Sequence, residues 1–157
     1  MILDSLILQT KLFISEDMDI QIQNIEVLDN SPDKLVLKTN TSMIGTGGKL
    51  NLMLIISFDE SLMNYLVDLF MEGEAVEEDE KEEIYDSVSG ETINTIIGLA
   101  LPTFPNRGKG VSITPPIAIH DVTTMKKHKN AKILSANVET EFGSLSVSVI
   151  GSEDVVK

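Results

Sequence analysis

Four residues of one segment are spaced to share a chemical task. If Asp86-Ser87-Val88-Ser89-Gly90-Glu91-Thr92-Ile93-Asn94-Thr95-Ile96-Ile97-Gly98 is a helix, a turn of about 100° per residue gathers Ser87, Glu91, Asn94 and Gly98 into a stripe about 60° wide. Ile93, Ile96, Ile97, Leu99 and Ala100 fall elsewhere. A carboxylate and a carboxamide one turn apart offer a charge anchor beside a neutral group that both donates and accepts hydrogen bonds. Two glycines, Gly90 and Gly98, flank Asn94 although each costs roughly 0.5–1 kcal/mol relative to Ala in a helix interior. Either the helix packs closely on its own sheet, or another backbone or a substrate approaches Asn94 closely.

Other constellations fail on spacing. Gly45-Thr46-Gly47-Gly48-Lys49 resembles a phosphate loop, but the positions that need Gly and Ser or Thr hold Met43 and Leu50, so a hairpin turn is expected. His120 and His128 stand eight apart with no carboxylate or third ligand in register, which predicts no metal site. No serine sits in a nucleophile elbow with histidine and acid partners, and no aromatic pocket for a small ligand is apparent. The chain has no cysteine, hence no disulfide, thiolate zinc site or cysteine nucleophile, as suits a reducing compartment.

The stripe has to be carried by a helix of about Glu82–Leu101, ended by Pro102. Before it, Asp59 is an N-cap for a helix with Leu62, Met63, Leu66, Leu69 and Phe70 at helical spacing, closed by Gly73. A weakly patterned helix is expected within Ser5–Met18 and a strand over Ile20–Leu28, punctuated by Asn30-Ser31-Pro32-Asp33. Leu35, Leu37 and Thr39, then Leu50 to Phe58, alternate as two strands of a hairpin across the Gly45–Gly48 break. Val111–Thr114, Ile117–Val122, Lys132–Val138 and Leu145–Ile150 read as later strands, with a basic loop before Lys132 and a turn at Gly143. Short connections imply antiparallel pairing. The fold class is therefore α+β: antiparallel sheet of hairpin-connected strands with helices packed on one face.

Length and charge bound the partner. At 157 residues, 42% hydrophobic and 24% charged, the chain is the size of one globular domain, residues 1–157. Its net charge of -13 repels nucleic acid and anionic membrane over most of the surface. No run approaches 18 apolar residues and no basic leader opens the chain, so a cytoplasmic protein with a protein partner is expected. Between Glu72 and Glu83, eight acids against Lys81 alone carry seven of the thirteen excess negative charges, in what reads as an acidic linker of about 72–83. From Arg107 to Lys132, six bases oppose only Asp121. The stripe is thus expected to lie on a neutral-to-basic surface with Glu91 as its only carboxylate.

Ser87-x-x-x-Glu91-x-x-Asn94, followed about twenty residues later by Ile113-Thr114-Pro115-Pro116, resembles the signature of the CheC/CheX-type chemotaxis phosphatases. The likeness runs from roughly Leu35 to Ile150, and the single Glu-x-x-Asn element is closer to single-site CheX than to two-site CheC. Either Pro115 or Pro116 could match the family proline. The resemblance implies a phosphatase that hydrolyses the aspartyl phosphate of a CheY-like response regulator. Glu91 would dock on the receiver's lysine and Asn94 would position the attacking water, with Ser87, Gly90, Gly98, Pro115 and Pro116 lining the partner contact. It also implies a homodimer, no cofactor of this chain's own, and Mg²⁺ on the phosphorylated partner. The rival expectation is a non-catalytic docking or adaptor module of the same fold that binds a receiver or a flagellar or chemotaxis protein.

Overall fold

The computed structural model describes residues 2–28 and 32–156. Helix α1 (Ile2–Leu12) runs into a π-helical turn (Phe13–Asp17), and strands β1 (Ile22–Leu28), β2 (Lys34–Val36), β3 (Asn40–Gly48) and β4 (Leu52–Phe58) follow. Then come α2 (Glu60–Phe70), α3 (Lys81–Ala100), β5 (Val111–Ile113), β6 (Ile117–Ile119), β7 (Thr124–Lys126), β8 (Ala131–Thr140), β9 (Gly143–Ser152) and the short α4 (Glu153–Val156). Seven strands form one antiparallel sheet in the order β1-β8-β9-β4-β3, with β5 and β6 both on the outer edge of β3. Helices stand on one face, and the α+β class read from the sequence is the observed one.

Period-two alternation explains the layering. Leu52, Leu54, Ile56 and Phe58 of β4 point into the core under the helices, where they meet Leu62, Met63 and Leu66 of α2 and Ile93, Ile96 and Ile97 of α3. Ile55 points the opposite way, as the pleat requires. There Leu35, Leu37, Ile133 and Ile150 join it in a second, smaller core, roofed by the two-stranded sheet of β2 and β7.

That roof corrects two expectations. Residues 35–39 are not the partner of β4; Asn40–Gly48 is, from Asn40 opposite Phe58 to Gly45 opposite Met53. The glycine run is therefore strand, not turn, and the chain reverses after it. Gly47 allows the close approach of β5, since a Cβ there would lie 3.1 Å from Ser112 Oγ, and Gly48 takes φ +81°. Likewise the expected basic loop contains β7, which needs β2 as its partner. Of the predicted turn at 30–33, Asn30 and Ser31 lie outside the described residues.

Asp59 caps α2 by accepting from Leu62 N at 2.9 Å and also accepts from Ser144 N at 2.7 Å. One carboxylate thus joins the helix start to the β8–β9 turn. The helix ends with the Gly73 and Glu72 amides bonding back to Asp68 and Leu69 carbonyls. That is a Schellman closure, in which Glu72 takes the left-handed conformation expected of a glycine (φ 52°).

Candidate functional site

The candidate site is the outward face of α3, and the inward face decides where it points. Val88, Ser89, Thr92, Ile93, Ile96, Ile97 and Ala100 are buried, and at about 100° per residue their mean direction is roughly opposite the Ser87-Glu91-Asn94-Gly98 stripe. Ser87, Glu91, Asn94 and Gly98 are all exposed. Among the described residues, neither the Glu91 nor the Asn94 side chain has a hydrogen-bond or ion-pair partner. Both remain available to something outside the chain.

Two contacts register α3 on the sheet. Ser42 of β3 and Ser89 share a buried hydrogen bond of 2.7 Å, fixing the helix along its axis over β3. At Gly90, a Cβ would lie 3.4 Å from Pro116 Cβ, so the helix rests directly on that proline. Pro116 belongs to a break in the edge strand. β5 pairs with Thr46–Gly48 and β6 with Thr41–Met43, two pieces of one strand interrupted where Pro115 and Pro116 carry no N–H for the ladder. Thr114 pins the break: its N–H donates to Gly45 O, and its Oγ1 accepts from Gly45 N, each at 2.9 Å.

The sequence-predicted residues therefore divide. Ser87, Glu91, Asn94 and Gly98 form one exposed stripe, and nothing lies within 4 Å of a Cβ built on Gly98. Gly90 and Pro116 face each other, so for Gly90 close packing within the chain is a sufficient reason. Pro115 is exposed beside them. A second anchor lies at the start of α3, where the Tyr85 hydroxyl donates to Asn64 of α2 and Lys81 Nζ stands 5.4 Å over the Tyr85 ring.

The electrostatics differ from the expected neutral-to-basic surface. An open groove of about 730 Å³ beside α3 is lined by Asp79, Glu82, Glu83, Asp86, Ser87, Gly90 and Glu91, with Ser42, Pro116 and Ala118 opposite. The acidic segment continues into the first turns of α3, since residues 78–80 form a 3-10 turn and the helix begins at Lys81. Acids near a helix N-terminus are favoured by its partial positive charge. The stripe therefore carries a gradient, acidic at Glu83–Asp86 and uncharged from Asn94 onward.

A cluster that spacing alone excluded also lies here. His120, just past β6, places Nε2 2.8 Å from Asp86 Oδ2 and 3.6 Å from Glu82 Oε1. The hydrogen bond to Asp86 raises the imidazole above its ordinary 6.5, partly opposed by desolvation and aided by the charges of Asp86, Glu82 and Asp121. The carboxylates are 34 and 38 residues away in sequence, and only the pairing of β6 with β3 under α3 brings them together. The single local signal was Glu82 and Asp86 at i, i+4, one face of one helix.

Residues 40–139 match the family model described as chemotaxis phosphatase CheX. The chain belongs to the CheX family. Every stripe residue, both prolines and His120 fall inside the matched region, whereas α1, β1 and β2 precede it. Among solved structures, this CheX-family chain resembles the chemotaxis protein CheX from Desulfovibrio desulfuricans at TM-score 0.76 and 16% identity, covering 94% of this chain and 97% of that one. It resembles CheX from Vibrio vulnificus at 0.69 and 14%, covering 94% of each. It also resembles the CheX-CheY-BeF3-Mg²⁺ complex from Borrelia burgdorferi at 0.64 and 20%, covering 96% and 97%. At such identities these likenesses establish the fold. No curated protein matches the CheX-family chain. Among its described residues, no helix is long and apolar enough to cross a membrane.

Proposed function

We propose that this chain hydrolyses the aspartyl phosphate of a CheY-like response-regulator receiver, with Asn94 positioning the attacking water and Glu91 pairing with a lysine of the receiver's phosphorylated pocket. The observation that carries the reading is the exposed, unpartnered Glu91–Asn94 pair on a helix whose opposite face is locked to the sheet. Family membership supports the reaction class, and a relative of the same fold is described in complex with CheY.

Phosphoryl transfer asks for an in-line nucleophile and charge stabilisation more than for covalent help. A receiver that brings its own Mg²⁺, lysine and phosphoryl group lacks only a held water. Asn94 can accept from that water through Oδ1 and donate through Nδ2 without adding negative charge beside the phosphoryl. Glu91 and Asn94 are separated by about 4.5 Å along the axis, so anchor and water-holder are fixed relative to each other by the backbone.

The gradient on the stripe sets the direction of approach. Asp86 is about 12 Å along the axis from Asn94, beyond a Debye length of about 8 Å at physiological salt. A phosphoryl group over Asn94 is therefore largely screened from Asp86 and the acids before it, and one over Ser87 would face the groove's five carboxylates. The receiver's pocket has to come down on the Asn94–Gly98 end, with Glu91 at the boundary aimed at a cation.

Mixing the chain with a phosphorylated receiver and Mg²⁺ and following inorganic phosphate tests the reading. Release should accelerate in proportion to the added chain. A panel of phosphorylated receivers whose decay is untouched by stoichiometric amounts of it would leave a docking role instead.

A further inference from the structure

We propose that Glu82, Asp86 and His120 form a binding site for one divalent transition-metal ion of the zinc class. Three donor atoms, one from each residue, lie within 4.8 Å of one another. They come from the first two turns of α3 and from the residue just past β6, so the convergence is a product of the fold. The proposal is independent of the phosphatase reading, since none of these residues belongs to the Glu91–Asn94 pair.

Geometry fits an ion with little movement. Zinc bonds of about 2.0–2.1 Å at tetrahedral angles separate neighbouring ligand atoms by about 3.3 Å. His120 Nε2 and Glu82 Oε1 already stand 3.6 Å apart. His120 Nε2 and Asp86 Oδ2, at 2.8 Å, are at hydrogen-bond distance and need to open by about 0.5 Å when the ion replaces the shared proton. All three residues are partly solvent-accessible, so rotamer adjustment can supply that shift.

There is also room for an occupant. A cavity of about 370 Å³ is walled by all three donors, leaving room for the ion and the waters that complete its shell. Lys81, the one base among residues 72–86, also lines that cavity, with its Nζ over the Tyr85 ring.

The donor set selects the class. One imidazole with two carboxylates suits zinc, cobalt or manganese better than the all-oxygen shells of Ca²⁺ and Mg²⁺ or the thiolate sites of Cu(I). An ion here would tie the first turns of α3 to β6 at the head of the acidic groove. Binding requires the neutral imidazole and releases its proton to solvent.

The test is a calorimetric titration of Zn²⁺ into the full chain, stripped of metal and held in excess Mg²⁺ so that exposed carboxylates are occupied, with NMR of both histidine rings. One equivalent of Zn²⁺ should bind, shifting the His120 ring resonances and leaving those of His128 in place. His120→Ala and Asp86→Asn should each lower the affinity at least about tenfold, whereas His128→Ala should not change it. No saturable Zn²⁺ binding by the unaltered chain, or a bound ion that moves the His128 ring alone, would overturn the proposal. The ring resonances of the unaltered chain distinguish these outcomes even if a variant fails to fold.

Discussion

Gly98 separates stability from partner recognition in one substitution. The position lies in α3, where Gly is about 0.5–1 kcal/mol worse than Ala, and a Cβ built there meets nothing within 4 Å. Gly98→Ala should therefore stabilise the isolated chain by up to about 1 kcal/mol, raising its melting temperature by about 2–4 °C for a domain of this size. Against the receiver the same methyl should do harm. If the partner's backbone comes down on the Asn94–Gly98 end of the stripe, overpacking a closely fitted contact costs about 1–3 kcal/mol, which raises KM for the phosphorylated receiver about fivefold or more. Thermal unfolding and steady-state phosphate release on the same preparation measure the two effects. A less stable variant would mean that the space above Gly98 is not open. A more stable variant with unchanged KM and kcat would place Gly98 outside the contact and refute the direction of approach.

Two other predictions concern the anchor and the scaffold. Glu91→Ala should raise KM for the phosphorylated receiver about 30-fold or more, because truncating one member of an interfacial charge pair costs about 2–5 kcal/mol; an unchanged KM would remove the anchor role. Gly143→Ala should destabilise the fold by about 2–4 kcal/mol in urea unfolding, through loss of the α2 cap and of the bond from Ser144 to a charged acceptor. Gly143 has φ +141°, and its Cβ would lie 2.4 Å from Asp59 Oδ1 and 2.8 Å from Leu62 N, so a loss below about 0.5 kcal/mol would contradict the dual role of Asp59.

Legibility follows the range of the interaction that decides each feature. Asp59 as N-cap, the run of α3 to within a residue at each end, and the exposed stripe opposite its buried face all depend on neighbours within a few positions, and the sequence carries them openly. The pairing of β4 with Asn40–Gly48 is hidden because glycines usually mark turns; here Gly45 and Gly47 lie in strand to admit Thr114 and Ser112 of an edge strand nearly seventy residues later. The β2–β7 roof is invisible for a similar reason, since each three-residue strand exists only by pairing with the other across the fold. His120 looks isolated until β6 pairs with β3 and delivers it to Asp86. Charge is misplaced by counting along the chain, where the acids of 72–83 read as a linker. In space the second half of that run is the head of α3 and the wall of the groove.

The roles of Asn94 and Glu91 are most directly separated by single-turnover decay of a phosphorylated receiver saturated with Asn94→Ala, alongside its binding affinity for the same receiver. Affinity should stay within about twofold while the catalysed rate falls by about 10²-fold, the scale of losing a positioned nucleophile. Decay as fast as with the unaltered chain would contradict the role given to Asn94, since the attacking water would then be held by some other group.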